Sequence, residues 1–196
     1  NEDEIRTLWK KLDSSNMEKA TALALKLQLI TAQRKGEVAG AEWKDFDFKK
    51  GWWTIPEEKA KNGLPHRVPL SSLATKILNE LKEITGNSQW LLPSPRDGQH
   101  IAETSIDHAV RINDKHFEVD HFTPHDLRRT AASKMTASGI QRLTVSKILN
   151  HAESGVTAVY DRHSYDKEKK IALNKWDRIL KQIISGETGK IIEINR

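Results

Sequence analysis

Two residues at the start of a predicted helix have the types and the spacing needed to bind a phosphate group. His125 and Arg128 lie three positions apart and follow Thr123-Pro124, a capping threonine with proline at the first helical position. Side chains at this spacing share one helix face, beside backbone N–H groups that have no helical partner. Taken alone, the pair is equally well explained as an ordinary exposed face near a helix start.

Two further cations precede this helix in the chain. Arg34 lies at the end of a long apolar helix, and the carboxylate of Glu37 is placed to orient its guanidinium rather than to meet an anion. Alone, Arg34 is as well explained as a cap of the helix C-terminus. Lys61 directly precedes Asn62-Gly63, a turn pair predicted to project it from the tip of a hairpin, where a lysine can reach into a minor groove. Lys59, two residues away on a similar face, is the alternative to Lys61.

A histidine and a tyrosine complete the set of candidates. His151 and Tyr160 are nine positions apart, with a predicted helix break at Gly155 between them. The chain contains 2 tyrosines, so Tyr165 is the rival to Tyr160. Cleaving a phosphodiester without a metal needs a nucleophile, an acid for the leaving oxygen and cations around the non-bridging oxygens. Residues of these types are Arg34, Lys61, His125, Arg128, His151 and Tyr160.

Composition excludes several other chemistries. The absence of cysteine removes thiolate zinc sites and cysteine nucleophiles, and it suits a reducing, cytoplasmic setting. A formal net charge of +5 suits a polyanionic partner such as nucleic acid. No apolar run is long enough to span a bilayer, and no secretory leader is recognisable, so we expect no membrane association. His116, His121 and His125 invite a zinc interpretation, but Pro124 breaks their common helical face and no metal site is predicted.

The elements that must position these residues are mainly helices. A chain of 196 residues is long enough for one compact domain with a sizeable core. Apolar spacing and capping residues predict helices over Ile5–Leu12, Met17–Ile30, Ser71–Ile84, Ala102–Asn113, Thr123–Gly139, Gln141–Leu149, Val156–Asp161 and Ile171–Ile183. Between Phe46 and Leu70 the pattern changes to three short antiparallel strands, the last of them at an edge because Pro65 and Pro69 cannot donate to a ladder. The predicted fold class is mainly α with a small three-stranded antiparallel β-sheet.

Four segments of the chain resemble motifs of one known family, the tyrosine recombinases, especially the integrases of prophages and genomic islands. The segment with Arg34 reads TAQRKGEVAGAEWKDFD and resembles the family's first arginine box. The segment with Lys61 reads EKAKNGLPHRVPLS and resembles the β-hairpin lysine segment. The segment with His125 and Arg128 reads HDLRRTAAS and resembles the second box. The segment with His151 and Tyr160 reads ILNHAESGVTAVYDRHS and is similar to the last box, which carries the family's final histidine and its nucleophile. The four occur in family order and cover nearly the whole chain.

The resemblance implies a tyrosine recombinase catalytic domain over residues 1–185, followed by a tail over residues 186–196 that can pack on a neighbouring protomer. It also implies that the family's N-terminal DNA-clamping domain is absent from this chain. Two positions depart from the pattern: Ala32 and Asn150 stand where many members have glycine. Both changes are to small or turn-tolerant residues, and we expect them to leave the fold intact.

The resemblance further implies a mechanism that needs neither metal, cofactor nor ATP. Tyr160 attacks the scissile phosphate and forms a 3′-phosphotyrosine, while Lys61 protonates the departing 5′ oxygen. Arg34 and Arg128 hold the non-bridging oxygens, since a guanidinium fork fits that geometry better than lysine. The two histidines have the remaining roles, His125 as proton acceptor and His151 as hydrogen-bond donor to the phosphate.

The partners implied by the resemblance are double-stranded DNA of the attachment-site type and further copies of the chain, a monomer in isolation that forms a homo-tetramer on DNA. Accessory DNA-bending or directionality proteins are compatible with this scheme, in a bacterial cytoplasm and at the nucleoid during action. Two alternatives stay open from sequence: a type IB topoisomerase, which uses similar residue roles, and a DNA-binding module without chemistry. The binding module would be indifferent to Tyr160→Phe.

Overall fold

The computed structural model describes residues 1–96, 98–151 and 163–186. Within these ranges the chain is mainly helical with a three-stranded antiparallel sheet, which confirms the predicted fold class. The helices are α1 (Glu2–Asp13), α2 (Lys19–Thr31), α3 (Lys35–Ala39), α4 (Ser72–Thr85), α5 (Glu103–Ile112), α6 (Asp114–Phe117), α7 (Pro124–Ala137), α8 (Arg142–Ile148) and α9 (Asp166–Ser185), and a 3-10 helix covers Trp43–Asp45. Three predicted features lie outside the described residues: Tyr160, the helix Val156–Asp161 and the tail beyond Gly186.

Helix α2 runs through the middle of the core, and most of its side chains are buried. It carries apolar residues on every face, and a helix of that kind has to be covered on all sides. Helices α1, α4, α7 and α9 pack around it. The indole Nε1 of Trp176 in α9 donates to the carbonyl oxygen of Leu29 at 3.0 Å, and the ammonium of the buried Lys26 lies 2.5 Å from Asp13. Helix α2 is therefore held firmly by its neighbours, and this fixes the position of the residues that directly follow it.

The way α2 ends sets the position of Arg34. Ala32 adopts a left-handed conformation with φ of 57°, and its N–H donates to the carbonyl oxygen of Gln28 at 2.8 Å. For a residue other than glycine this left-handed conformation costs about 1–2 kcal/mol. Ala32 is completely buried. The chain then turns, so that Arg34 lies beyond the last turn of α2 and directly precedes α3. Arg34 thus follows the last residue of α2 by three positions, consistent with its predicted place where the long apolar helix ends, and it is the N-cap residue of α3.

The sheet contains β1 (Phe46–Asp47), β2 (Trp52–Ile55) and β3 (His66–Pro69) in that spatial order, with antiparallel pairing throughout. Trp53 of β2 lies opposite Val68 of β3, and both are 1% exposed. Strand β3 pairs only with β2 among the described residues, which confirms that it is an edge strand. In the described ranges none of the helices combines the length and apolarity that crossing a membrane requires.

The connection between β2 and β3 differs from the prediction. The ladder ends at the pair Ile55 and His66, so residues 56–65 form a loop instead of a tight two-residue hairpin turn. Gly63 within it has a φ of +65°, a conformation that favours glycine. Lys61 is therefore carried by a long loop, and its position depends on what that loop contacts.

Candidate active site

An open cavity of about 480 Å³ brings together three of the predicted site residues. Arg34, Lys61 and His125 all line it, although they come from three separate parts of the chain. The other lining residues are Gln28, Lys35, Gly36, Glu37, Lys59 and Glu103. The cavity is therefore lined by the last turn of α2, by α3 and the residue before it, by the starts of α5 and α7, and by the β2–β3 loop.

Arg34 is held by an acid of α3, the short helix that it directly precedes. Its Nη1 donates to Oε1 of Glu37 at 2.8 Å, and its backbone N–H donates to Oε2 at 3.0 Å. The Glu37 side chain is 2% exposed, whereas that of Arg34 is 22% exposed. The buried carboxylate of Glu37 thus orients the guanidinium, as the spacing of the two residues predicted, and part of the guanidinium stays open to the cavity. Nη2 of Arg34 also lies 3.4 Å from the carbonyl oxygen of Asn150, so Arg34 does not cap α2.

Arg128 lies deeper, with 3% of its surface exposed. Its Nη1 donates to the carbonyl oxygen of Ala32 at 2.7 Å, and its Nη2 donates to that of Leu149. Burial and the positive charge of nearby Arg34 lower the pKa of Arg128 to about 10, against the opposing effect of Glu37. The guanidinium remains charged at neutral pH, and its two carbonyl partners fix its plane.

His125 is exposed in the first turn of α7, beside the cavity. That turn is fixed by Asp126, whose carboxylate accepts from the backbone N–H of Thr123 at 3.0 Å and from its hydroxyl at 2.7 Å. These hydrogen bonds lower the pKa of Asp126 and keep it ionised. The predicted helix start at Thr123-Pro124 is confirmed, and it places His125 three positions before Arg128 on the side of the cavity.

Lys59 and Lys61 both line the cavity but have different surroundings. The ammonium of Lys59 lies 2.7 Å from a carboxylate oxygen of Glu42 and 2.7 Å from one of Asp45, and its side chain is 17% exposed. Lys61 is exposed, and within the described part of the chain its ammonium forms no ion pair. The geometry leaves Lys61 available to a ligand, while two acids already occupy Lys59.

His151 follows the C-terminus of α8 and is exposed. Partial burial of its ring, then the charges of Arg128 and Arg34, lower the pKa of His151. The ring is therefore neutral at pH 7 and lies within the field of both arginines. Tyr160 lies outside the described residues. Its rival Tyr165 packs against two side chains, with Nζ of Lys147 4.5 Å from its ring centroid and the centroid of the His163 ring at 4.7 Å.

Sequence reasoning missed the role of three backbone carbonyls at the end of α8. The carbonyl oxygen of Ile148 accepts from Gln33 Nε2 at 3.0 Å and from His66 Nε2 at 3.0 Å. The next carbonyl, of Leu149, accepts from Arg128, and that of Asn150 accepts from Arg34. Helix C-termini carry partial negative charge, which attracts these donors. A long-range contact of this kind leaves no periodic pattern that could have indicated it.

Gln28 is the other residue that sequence reasoning missed. It lines the cavity from α2 and is 2% exposed, and its Nε2 has no hydrogen-bond partner among the residues that the structure describes. Its position within the apolar pattern of α2 is what hid it. The cavity lining presents the guanidinium of Arg34, the ammonium of Lys61 and the imidazole of His125, and the charge of Arg128 lies close to that of Arg34. Donors of these types suit the non-bridging oxygens of a phosphodiester.

Comparisons with known proteins agree with this arrangement. The model of the phage integrase family matches residues 1–167. The integrase of Enterobacteria phage P4 is 30% identical over 173 residues, which cover 80% of this chain and 39% of that protein. The chain spans about two fifths of the length of the first curated relatives that it matches.

Solved structures share the fold. The integrase from mycobacterium phage Brujita superposes with a TM-score of 0.69 at 19% identity, over 91% of this chain and 62% of that one. A lambda integrase tetramer bound to a Holliday junction superposes with a TM-score of 0.62 at 22% identity, over 84% of this chain and 47% of that one.

Proposed function

The chain belongs to the phage integrase family of tyrosine recombinases, and from this premise we propose that it catalyses site-specific DNA recombination through a 3′-phosphotyrosine intermediate. The observation that carries the proposal is the cavity that Arg34, Lys61 and His125 line, with Arg128 fixed beside it. The guanidiniums of Arg34 and Arg128 are held in place before any ligand arrives, so they need little reorganisation when charge develops on a phosphate.

In the proposed reaction, the Tyr160 hydroxyl oxygen forms a bond to the scissile phosphorus as the bond from phosphorus to the 5′ oxygen breaks. His125 accepts the proton of the tyrosine hydroxyl, and Lys61 gives a proton to the leaving 5′ oxygen. The phosphotyrosine ester conserves the energy of the broken bond. A 5′-hydroxyl of another strand can then attack the ester and release Tyr160, so that joining needs no ATP.

The two arginines are proposed to stabilise the negative charge that develops on the phosphate. Arg34 is partly open to the cavity, and Arg128 is locked by two carbonyls, so each can present a guanidinium edge to one side of the phosphate. His151 is neutral at pH 7 because its pKa is lowered by partial burial and by both arginines, and it donates a hydrogen bond without adding charge. Loss of one such donor typically costs roughly 10²- to 10³-fold in rate.

The proposed assembly is a tetramer of this chain on two DNA duplexes, with a monomer in the absence of DNA. It is supported by the fold shared with the lambda integrase tetramer bound to a Holliday junction. The tail over residues 186–196, most of it outside the described residues, is the proposed contact between protomers. Deleting residues 187–196 is expected to abolish multimers on DNA while leaving the core folded, as gel shifts and circular dichroism would record; unchanged assembly would contradict it.

Covalent trapping tests the proposed chemistry. The chain is incubated with nicked, labelled suicide duplexes that include a randomised pool, and the denatured products are examined for a protein–DNA adduct. Wild type and Tyr165→Phe are expected to form it, and Tyr160→Phe is expected to bind the same DNA without forming it. Binding by wild type without any adduct, also when a DNA-clamping domain is fused to the chain, would leave only a binding module. A chain that forms the adduct and relaxes a supercoiled plasmid in a parallel assay, but never joins new strands, would be a topoisomerase.

A further inference from the structure

A reciprocal pair of amides joins the β2–β3 loop to the turn after α8. Nδ2 of Asn62 donates to the side-chain Oδ1 of Asn150 at 3.1 Å and to its backbone carbonyl oxygen at 3.2 Å. In return, Nδ2 of Asn150 donates to Oδ1 of Asn62 at 3.1 Å. These are the neighbours of two site residues, Lys61 and His151, which are otherwise far apart in the chain.

The Asn62–Asn150 pair is one of two anchors around Lys61. On the other side, Lys59 is bound by Glu42 and Asp45. Ala60, which lies between Lys59 and Lys61 in the chain, is 7% exposed. Lys61 thus follows a segment fixed to the 3-10 helix and precedes a residue fixed to the end of α8. Removing the second anchor would leave only the first to determine where the ammonium of Lys61 lies.

The second anchor is attached to the same turn as the arginines. The carbonyl oxygen of Asn150 accepts from Asn62 and from Arg34, and the preceding carbonyl, of Leu149, accepts from Arg128. The loop that carries Lys61 is therefore hydrogen-bonded to the same turn that binds Arg34 and Arg128, the residues proposed to hold the phosphate. Hydrogen bonds within a partly buried site of this kind have defined geometry, which an exposed lysine on a long loop lacks.

We propose that Asn62 and Asn150 are positioning residues, which hold Lys61 at the leaving oxygen through their reciprocal amide hydrogen bonds. The proposal rests on the proposed function, because it assigns Lys61 a proton to deliver. It also explains the asparagine at position 150, where φ is +47°: asparagine adopts this left-handed conformation more readily than most residues, and its side chain supplies what glycine cannot.

The pair allows a graded set of variants. Asn150→Gly keeps the left-handed backbone and removes two of the three hydrogen bonds, since Asn62 still reaches the carbonyl oxygen of residue 150. Asn62→Ala removes all three. If the pair acts as a unit, the double variant is no worse than Asn62→Ala alone. Asn79→Ala, an exposed asparagine of α4, is the matched control.

The readout is the rate of adduct formation on a duplex that wild type has selected from the randomised pool and whose cleavage position has been mapped. A misplaced general acid is expected to slow cleavage by about 10-fold in Asn150→Gly and roughly 10²-fold in Asn62→Ala. The same duplex is then made with sulfur in place of the bridging 5′ oxygen. A thiolate leaves without a proton, so both variants, like Lys61→Ala, are expected to react within about 3-fold of wild type.

Each outcome decides between the roles. A defect of equal size on the oxygen and sulfur substrates would overturn the proposal, since it would show that the pair supports the fold rather than Lys61. Wild-type rates in Asn62→Ala would overturn it as well. A wild type that forms no adduct at all would instead remove the proposed function, and with it any proton for Lys61 to deliver.

Discussion

Lowering the pH should destabilise the fold through His66, and replacing this residue by glutamine should remove that part of the pH dependence. His66 is 5% exposed, and its Nε2 lies 3.0 Å from the carbonyl oxygen of Ile148. A carbonyl only accepts, so the ring carries its proton on Nε2 and donates. Burial, followed by the positive charge of Lys169, lowers the pKa of His66 from 6.5 to about 3.

The magnitude follows from linkage between protonation and folding. The unfolded chain binds the proton near pH 6.5 and the folded chain near pH 3, so the stability from neutral His66 is present above pH 6.5 and is lost as the pH falls. Between pH 7 and pH 5 this residue should cost about 2 kcal/mol of unfolding free energy, and about 5 kcal/mol over the whole interval. Glutamine keeps an N–H donor for Ile148 and does not titrate.

Urea unfolding at pH 7, 6 and 5, followed by tryptophan fluorescence, measures the free energy of unfolding of each variant. Wild type is expected to lose about 2 kcal/mol more than His66→Gln between pH 7 and pH 5. His108→Gln, an exposed histidine of α5, is the control and should follow wild type. Equal pH slopes for wild type and His66→Gln, with both folded at pH 7, would refute the assignment of this pH dependence to His66.

Two further predictions separate stability from chemistry in the cavity. Lys59→Met should destabilise the fold by about 3 kcal/mol in urea unfolding, because the nearly buried carboxylate of Asp45 loses its ion pair with Lys59 and that of Glu42 keeps only the exposed Lys44. Lys61→Met should unfold like wild type and lose adduct formation. The reverse pattern would move the proton donor to Lys59. Glu37→Gln should cost about 1–3 kcal/mol and also slow adduct formation, because the neutral amide cannot accept from both donors of Arg34. Full activity in Glu37→Gln would show that Arg34 needs no orienting charge.

The helices and the sheet could be predicted because their residues repeat with the period of the structure that they form. The apolar run of α2 and the capping Thr123-Pro124 of α7 each indicated an element that the structure contains. The short α3 and α6 were missed, since five and four residues give too little periodic signal. The roles expected of the site residues followed from the resemblance of four segments to family motifs in the family's order.

The contacts that fix the site could not be predicted in the same way. Asn62 and Asn150 meet across 88 residues, and Arg128 reaches Ala32 across 96. Such contacts depend on how packed helices bring loops together, and neither periodicity nor capping encodes them. The choice between Lys59 and Lys61 is similar, because it depends on the acids of the 3-10 helix segment, which the local sequence around the loop does not contain.

The central claim is that Tyr160 becomes covalently attached to DNA, and peptide mapping of the trapped adduct tests it most directly. Trypsin separates the two tyrosines, since Tyr160 lies in residues 148–162 and Tyr165 in residues 163–167, each bounded by lysine or arginine. After nuclease digestion, mass spectrometry should find a nucleotide remnant on the peptide 148–162, localised to Tyr160. A remnant on the peptide 163–167, or on any residue other than Tyr160, would contradict the account.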